Sequence, residues 1–217
     1  MPSYNEINSK MVEVTIGHGD QVYARRGAML AYKGDVHFAP TLTQGQGIGG
    51  FVGRVVKGEN VPMMVAEGNG KVMYGHLGLQ ITHVALDQDT LVVEADKLLC
   101  YDGTLQAGTM FLGSGGGGFR AVVQGQMTGQ GLFTTNLTGT GGAVILSHGP
   151  VFTLECNGSS KIAVDPQAYV GHTGQIDTKL DSNVGWRDAV GRGSGEAFQI
   201  KMNGTGTVFV QASEVRL

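Results

Sequence analysis

Two cysteines, five prolines and one tryptophan in 217 residues set the first limits on what this chain can be. Cys100 and Cys156 stand alone in the apolar segments Leu98-Leu-Cys100-Tyr and Phe152-Thr-Leu-Glu-Cys156. Neither has a partner at disulfide-framework or metal-ligand spacing, so buried free thiols in a reducing cytosol are expected. Scarce proline and evenly mixed charge argue against a disordered chain. Charge itself is low: 15 Lys and Arg against 18 Asp and Glu, a formal net of −3. The one basic pair is Arg25-Arg26, so the phosphate neutralisation behind nucleic-acid affinity lacks its residues. No apolar run approaches the roughly 18 residues of a spanning helix. The N-terminus Met1-Pro-Ser-Tyr-Asn-Glu lacks the charged-then-apolar pattern of a signal peptide. A cytoplasmic location follows as the expectation.

What the chain has in excess is glycine, 37 residues, against a usual share of about 7%. The glycines punctuate apolar alternations, the signature of strands and turns. One pattern occurs three times: an acidic or amide residue, an apolar strand, a Gly-x-Gly expected to form a turn, and a second strand. Its copies start at Glu59, Gln130 and Glu196 and reach Gly68-x-Gly70, Gly139-x-Gly141 and Gly204-x-Gly206. The first glycines lie 71 and 65 residues apart. That spacing predicts an internal triplication within a single domain spanning 1–217, with repeats at about 11–78, 89–149 and 152–214. The expected fold class is therefore all-β. Three tandem repeats would close into a pseudo-threefold β-prism or double-stranded β-helix-like body.

Each copy is preceded by a glycine-flanked segment whose apolar residues fall three to five apart. These are Ile48–Lys57, Gly118–Gln124 and Gly185–Val190. Such spacing predicts short amphipathic helical inserts. Phe51, Val55, Val56, Phe119, Val122, Val123, Trp186 and Val190 are the candidate interaction surface. They would serve a neighbouring subunit, a protein partner or a membrane surface. Arg54, Lys57, Arg120 and Arg187 add only a modest pull toward anionic lipid.

Catalytic, cofactor and metal signals fail on context. Gly45-Gln-Gly47-Ile-Gly-Gly50 has the form of a dinucleotide fingerprint, but it lacks the flanking strand and long helix. Gly113-Ser-Gly-Gly-Gly-Gly118 has no Lys-Ser/Thr after it, which excludes a P-loop. Ser147-His148 and Ser114 sit in no nucleophile elbow. Among six histidines, His76 and His148 occupy similar places in the first two copies, where the third has Ala212 and Ser213. A metal-dependent enzyme built on those two imidazoles is the third reading. No catalytic, cofactor-binding or metal residue is assigned.

Arg25-Arg-Gly27-Ala-Met29-Leu, Gly113-Ser-Gly-Gly-Gly-Gly-Phe119 and Gly131-Leu-Phe133 with Leu137-Thr-Gly139-x-Gly141 resemble the altered-inheritance-of-mitochondria protein 24 family over nearly the whole chain. The resemblance implies a triplicated β fold similar to the trp RNA-binding attenuation protein, and a tendency to oligomerise. It brings no catalytic residues. The mitochondrial relative is tied to inner-membrane organisation. The expected role is a non-enzymatic, self-assembling scaffold or interaction module, a homo-oligomer peripheral to a membrane at most. An RNA- or small-ligand-binding module is the alternative.

Overall fold

Strand follows strand through this chain in a computed structural model that describes residues 1–41, 62–113, 131–159, 161–181 and 199–213. Among the described residues, thirteen strands join one antiparallel hydrogen-bonded network. They are β1 (Ser3–Asn8), β2 (Met11–Ile16), β3 (Gln21–Arg25), β4 (Met29–Pro40), β5 (Met63–Tyr74) and β6 (Gln80–Glu94). After one 3-10 turn, Ala95–Lys97, come β7 (Leu98–Asp102), β8 (Gln106–Gly113), β9 (Gly131–Ser147) and β10 (Val151–Asn157). The last are β11 (Ile162–Val164), β12 (Tyr169–Asp181) and β13 (Gln199–Gln211). The main path runs β1-β2-β5-β3-β7-β9-β6-β12-β13-β10, with β4, β8 and β11 attached beside β5, β9 and β13. The all-β expectation is met by this large open sheet.

The three long strands β5, β9 and β13 organise the network. β5 has β4 along one edge, and on the other β3 beside its first half and β2 beside its second. β13 has β12 along one edge, with β11 and then β10 along the other. β9 follows the same scheme with a change of partner. Its long neighbour is β6, while its sequence neighbour β8 covers only Gly131 to Thr138.

The Gly-x-Gly motifs are not turns, contrary to the sequence expectation. All three lie inside continuous strands, β5, β9 and β13. Gly68, Gly139 and Gly204 have φ of 123°, 130° and 141°, which only glycine adopts at little cost. A positive φ redirects the strand without ending its ladder. In β5 the glycines face another: Gly34 of β4 pairs with Gly70, and Val36 with Gly68. A Cβ on Gly68 would sit 2.2 Å from the Asp35 carbonyl oxygen. β12 and β13 repeat this with Gly174 opposite Gly206, and a Cβ on Gly204 would lie 2.1 Å from Gln175 O. The bend shows in the side chains too. Tyr32 and Phe38 meet edge to face at 5.4 Å, although a straight strand would set them roughly 20 Å apart.

β7 and the Ala143–Leu146 half of β9 lie at the centre of the sheet, buried on both faces. Leu99, Cys100, Val144 and Leu146 join one core with Val12, Val14 and Val72. Leu98, Tyr101, Ala143 and Ile145 join a second with Leu91 and Leu137. Two-sided burial explains why Leu98–Tyr101 and Ala143–Leu146 are continuous apolar runs while β2 alternates. A third core gathers Tyr169, Ile200, Met202 and Val208 around β10–β13. Both cysteines are free and buried, as expected, Cys100 in the first core and Cys156 in the third.

If close approach at the strand corners sets the fold, Gly204→Ala costs roughly 2–3 kcal/mol through strain and clash. Gly19→Ala, at φ 85° in a turn with open space around it, costs roughly 1 kcal/mol. Urea unfolding of the two variants compares them directly. Equal losses would show that φ alone matters and that the corner contact does not.

Candidate functional site

The eight residues of the expected interaction surface, Phe51, Val55, Val56, Phe119, Val122, Val123, Trp186 and Val190, lie outside the described residues, as do Glu59, Gln130 and Glu196. So do the predicted helical inserts that carry them. Their segments connect the antiparallel pairs β4–β5, β8–β9 and β12–β13.

The histidine reading can be followed further. His148 lines a groove of about 380 Å³ with Lys10, Leu77 and Ser147. His76 is one residue before Leu77, and its carbonyl accepts the Leu79 N–H at 2.9 Å. Among the described residues no three His, Cys, Asp or Glu side chains gather into a metal-binding group. Ser147 is not poised as a nucleophile either. Its hydroxyl donates to Gly149 O at 2.8 Å, and the His148 backbone N–H donates to Gln211 Oε1 at 2.9 Å.

Two buried polar clusters lie in the structure, and the first was not legible in sequence spacing because its members come from distant strands. In the first, the Tyr4 hydroxyl donates to Asp102 Oδ1 at 2.5 Å and the Gly142 N–H donates to Asp102 Oδ2 at 2.7 Å. His83 stacks on Tyr4 at 4.7 Å. Gly142 must be glycine, since a Cβ would lie 2.5 Å from the Tyr4 ring. Burial raises the Asp102 pKa against the lowering effect of its two hydrogen bonds. The resemblance to a catalytic triad stops at composition. His83 Nε2 is buried without a hydrogen-bond partner, and Asp102 is 1% exposed. With both oxygens occupied, the carboxylate ties β1, β7 and β9 together and is out of reach of a substrate.

The second cluster lies on β12 where it pairs with β6. The Tyr169 hydroxyl and His172 Nδ1 share a hydrogen bond of 2.7 Å inside the protein. Burial pushes the His172 pKa down to about 4. Burial, reinforced by the charge of Asp96 and offset by Lys97, pushes Glu94 up to about 7. Arg25 braces the adjoining turn through the Leu98 and Asp96 carbonyls.

A cluster of exposed side chains lies on β4. Leu30 and Tyr32 are 56% and 51% exposed, with Met29 beside them at 41%. Lys33, Asp35 and His37 occupy alternate positions of the strand, and all are exposed. Among the described residues β4 pairs with β5 alone, leaving its other edge open. Exposed apolar side chains along an open edge are a site for another chain. The sequence signal was present: every charge in Leu30–Phe38 falls on one parity. It gave no hint that the other parity would be only partly covered.

These features define an antiparallel all-β protein with two enclosed polar clusters and, among the described residues, an open edge on β4. Residues 3–213 match the family described as mitochondrial biogenesis AIM24, and the chain belongs to that family. An uncharacterized protein of Streptococcus pyogenes serotype M6 is 24% identical over 210 residues, covering 93% of this chain and 81% of that one. A crystal structure of a Streptococcus pyogenes protein, SPYM3_0169, superposes with a TM-score of 0.74 at 20% identity, covering 99% of this chain and 94% of that one. The likeness to that structure is one of fold. No helix among the described residues is long and apolar enough to cross a membrane.

The second cluster yields a pH prediction. A raised carboxyl pKa means that the folded state holds its proton longer, so Glu94 lowers stability as pH rises from about 4.5 to about 7. A depressed imidazole pKa makes His172 lower stability as pH falls from 6.5 to about 4. Glu94→Gln therefore raises Tm at pH 8 and leaves it nearly unchanged at pH 4. A variant that raises Tm equally at both values would show that ionisation of Glu94 is not the cause.

Proposed function

We propose that this chain is a self-assembling interaction module that acts by binding rather than by catalysis. The observation that carries the reading is β4, a twelve-residue strand whose second edge is open among the described residues, with half-exposed Leu30 and Tyr32. Soluble proteins usually blunt such edges. The polar clusters at Asp102 and His172 support the same reading, since both are enclosed and internally bonded.

The finer architecture proposed with it is three repeats centred on β5, β9 and β13. What supports it is the arrangement shared by those strands, one long neighbour along one edge and two short ones along the other. The insert residues Phe51, Val55, Val56, Phe119, Val122, Val123, Trp186 and Val190 belong to this proposal as a second contact surface, for a subunit or an anionic membrane face. Their support is the sequence pattern alone.

Light scattering of the purified chain, with and without anionic liposomes, tests the function. The expected result is a defined particle of at least twice the monomer mass that stays off the liposomes. Movement onto liposomes would turn the module into a membrane-contacting one. A monomer at all concentrations that ignores liposomes would refute self-assembly.

A further inference from the structure

We infer that two copies of this chain join antiparallel along the open edge of β4, in a register centred on Gly34. The inference rests on the self-assembly reading and names its partner, a second copy, and its contacts.

The first observation is complementarity within one short stretch. A twofold axis at Gly34 sets Lys33 opposite the partner's Asp35, and Asp35 opposite the partner's Lys33. Tyr32 then faces the partner's Val36, and Ala31 the partner's His37. Each contact occurs twice, as an isologous interface requires. Like charges meet nowhere in this register. Shifting the strands by two residues along either direction breaks both ion pairs.

Shape is the second observation. β4 is bent at Gly34, where φ is 107° and where Tyr32 and Phe38 close to 5.4 Å. A bent strand is followed by a neighbour whose glycines admit the close backbone approach at the bend. β5 meets this demand on one edge by placing Gly70 opposite Gly34 and Gly68 opposite Val36. A second β4 meets it on the other edge by placing its own Gly34 there. The register chosen by charge is thus one that also sets glycine against glycine at the bend.

Third, the charges of β4 lack better partners inside the subunit. Lys33 stands directly opposite Lys71 of β5, and the Lys71 ammonium is taken by Glu13 at 2.7 Å. Asp35 has only a 3.3 Å contact with His37, with both side chains about four-fifths exposed. A strand pairing through Lys33 and Asp35 relieves the Lys33–Lys71 opposition.

The comparison with β12 sharpens the choice. β12 also carries a reciprocal charge pair, Asp177 and Lys179 about Thr178. There the glycine corner is at Gly174, opposite Gly206, away from the centre of charge symmetry. The apolar residues Ile176 and Leu180 already pack against the third core. β12 therefore has the charges without the matching bend or the exposed apolar face.

Sedimentation velocity across a concentration series tests the inference, using wild type, Lys33→Glu, Asp35→Lys, the double variant K33E/D35K and Lys179→Glu. Circular dichroism checks that each is folded. The expected result is self-association weakened about ten-fold or more in either single variant. The double variant, which restores both ion pairs with reversed sign, returns close to wild type. Lys179→Glu behaves as wild type. If wild type self-associates and Lys33→Glu leaves it unchanged, or the double variant fails to recover, this interface is wrong while self-assembly stands. If Lys179→Glu dissociates the particle instead, the contact belongs to β12. A monomeric wild type would remove the functional reading and this inference together.

Discussion

The fold depends on glycine meeting backbone across a bent ladder. At Gly68 and Gly70 the β4 carbonyls of Asp35 and Lys33 come within 2.2 and 2.4 Å of where a Cβ would be. At Gly204 and Gly206 the carbonyls of Gln175 and Thr173 approach to 2.1 and 2.0 Å. No residue with a side chain fits those places, so the abundance of glycine is a packing requirement before it is a matter of flexibility. Once paired strands can turn together, each long strand serves several neighbours along its length. β9 shows this most fully, passing from β8 to β7 along one edge while β6 follows it along the other.

Bending also accounts for the cores. A long flat sheet would expose one face to water throughout, whereas this sheet folds back and buries both faces of β7 and of Ala143–Leu146 in β9. Asp102 ends β7 within that doubly buried region, and its carboxylate is tolerable there because Tyr4 and Gly142 supply both hydrogen bonds. The Tyr169–His172 pair solves the same problem for an imidazole, which stays neutral and bonded. The Asp102 carboxylate thus fastens separate strands together, while the Tyr169–His172 bond is local to β12.

Much of this was legible in the sequence, and the gaps have physical reasons. Alternation in Met11–Ile16 and unbroken apolar runs at Leu98–Tyr101 and Ala143–Leu146 announced strands, and lone cysteines in apolar context announced buried thiols. The recurring Gly-x-Gly was visible as a pattern and misread as a turn, because a positive φ serves a hairpin and a strand corner alike. Tyr4, His83, Asp102 and Gly142 are brought together only by strand order, which spacing does not encode. The exposure of Leu30 and Tyr32 was hidden for a similar reason. An apolar side chain on one parity reads as core until the sheet reveals that nothing among the described residues covers it.

Hairpins usually have their register set by the loop that joins the strands. Here Gly34 opposite Gly70 and Gly174 opposite Gly206 hold the register from the middle of the ladder. The connections between β4 and β5 and between β12 and β13 are thereby relieved of alignment. Doubling the length of such a connection costs only about 0.6 kcal/mol in chain entropy. The two connections are free to diverge in length and composition among related chains while the sheet stays in place, so new binding properties can be acquired there without renegotiating the fold.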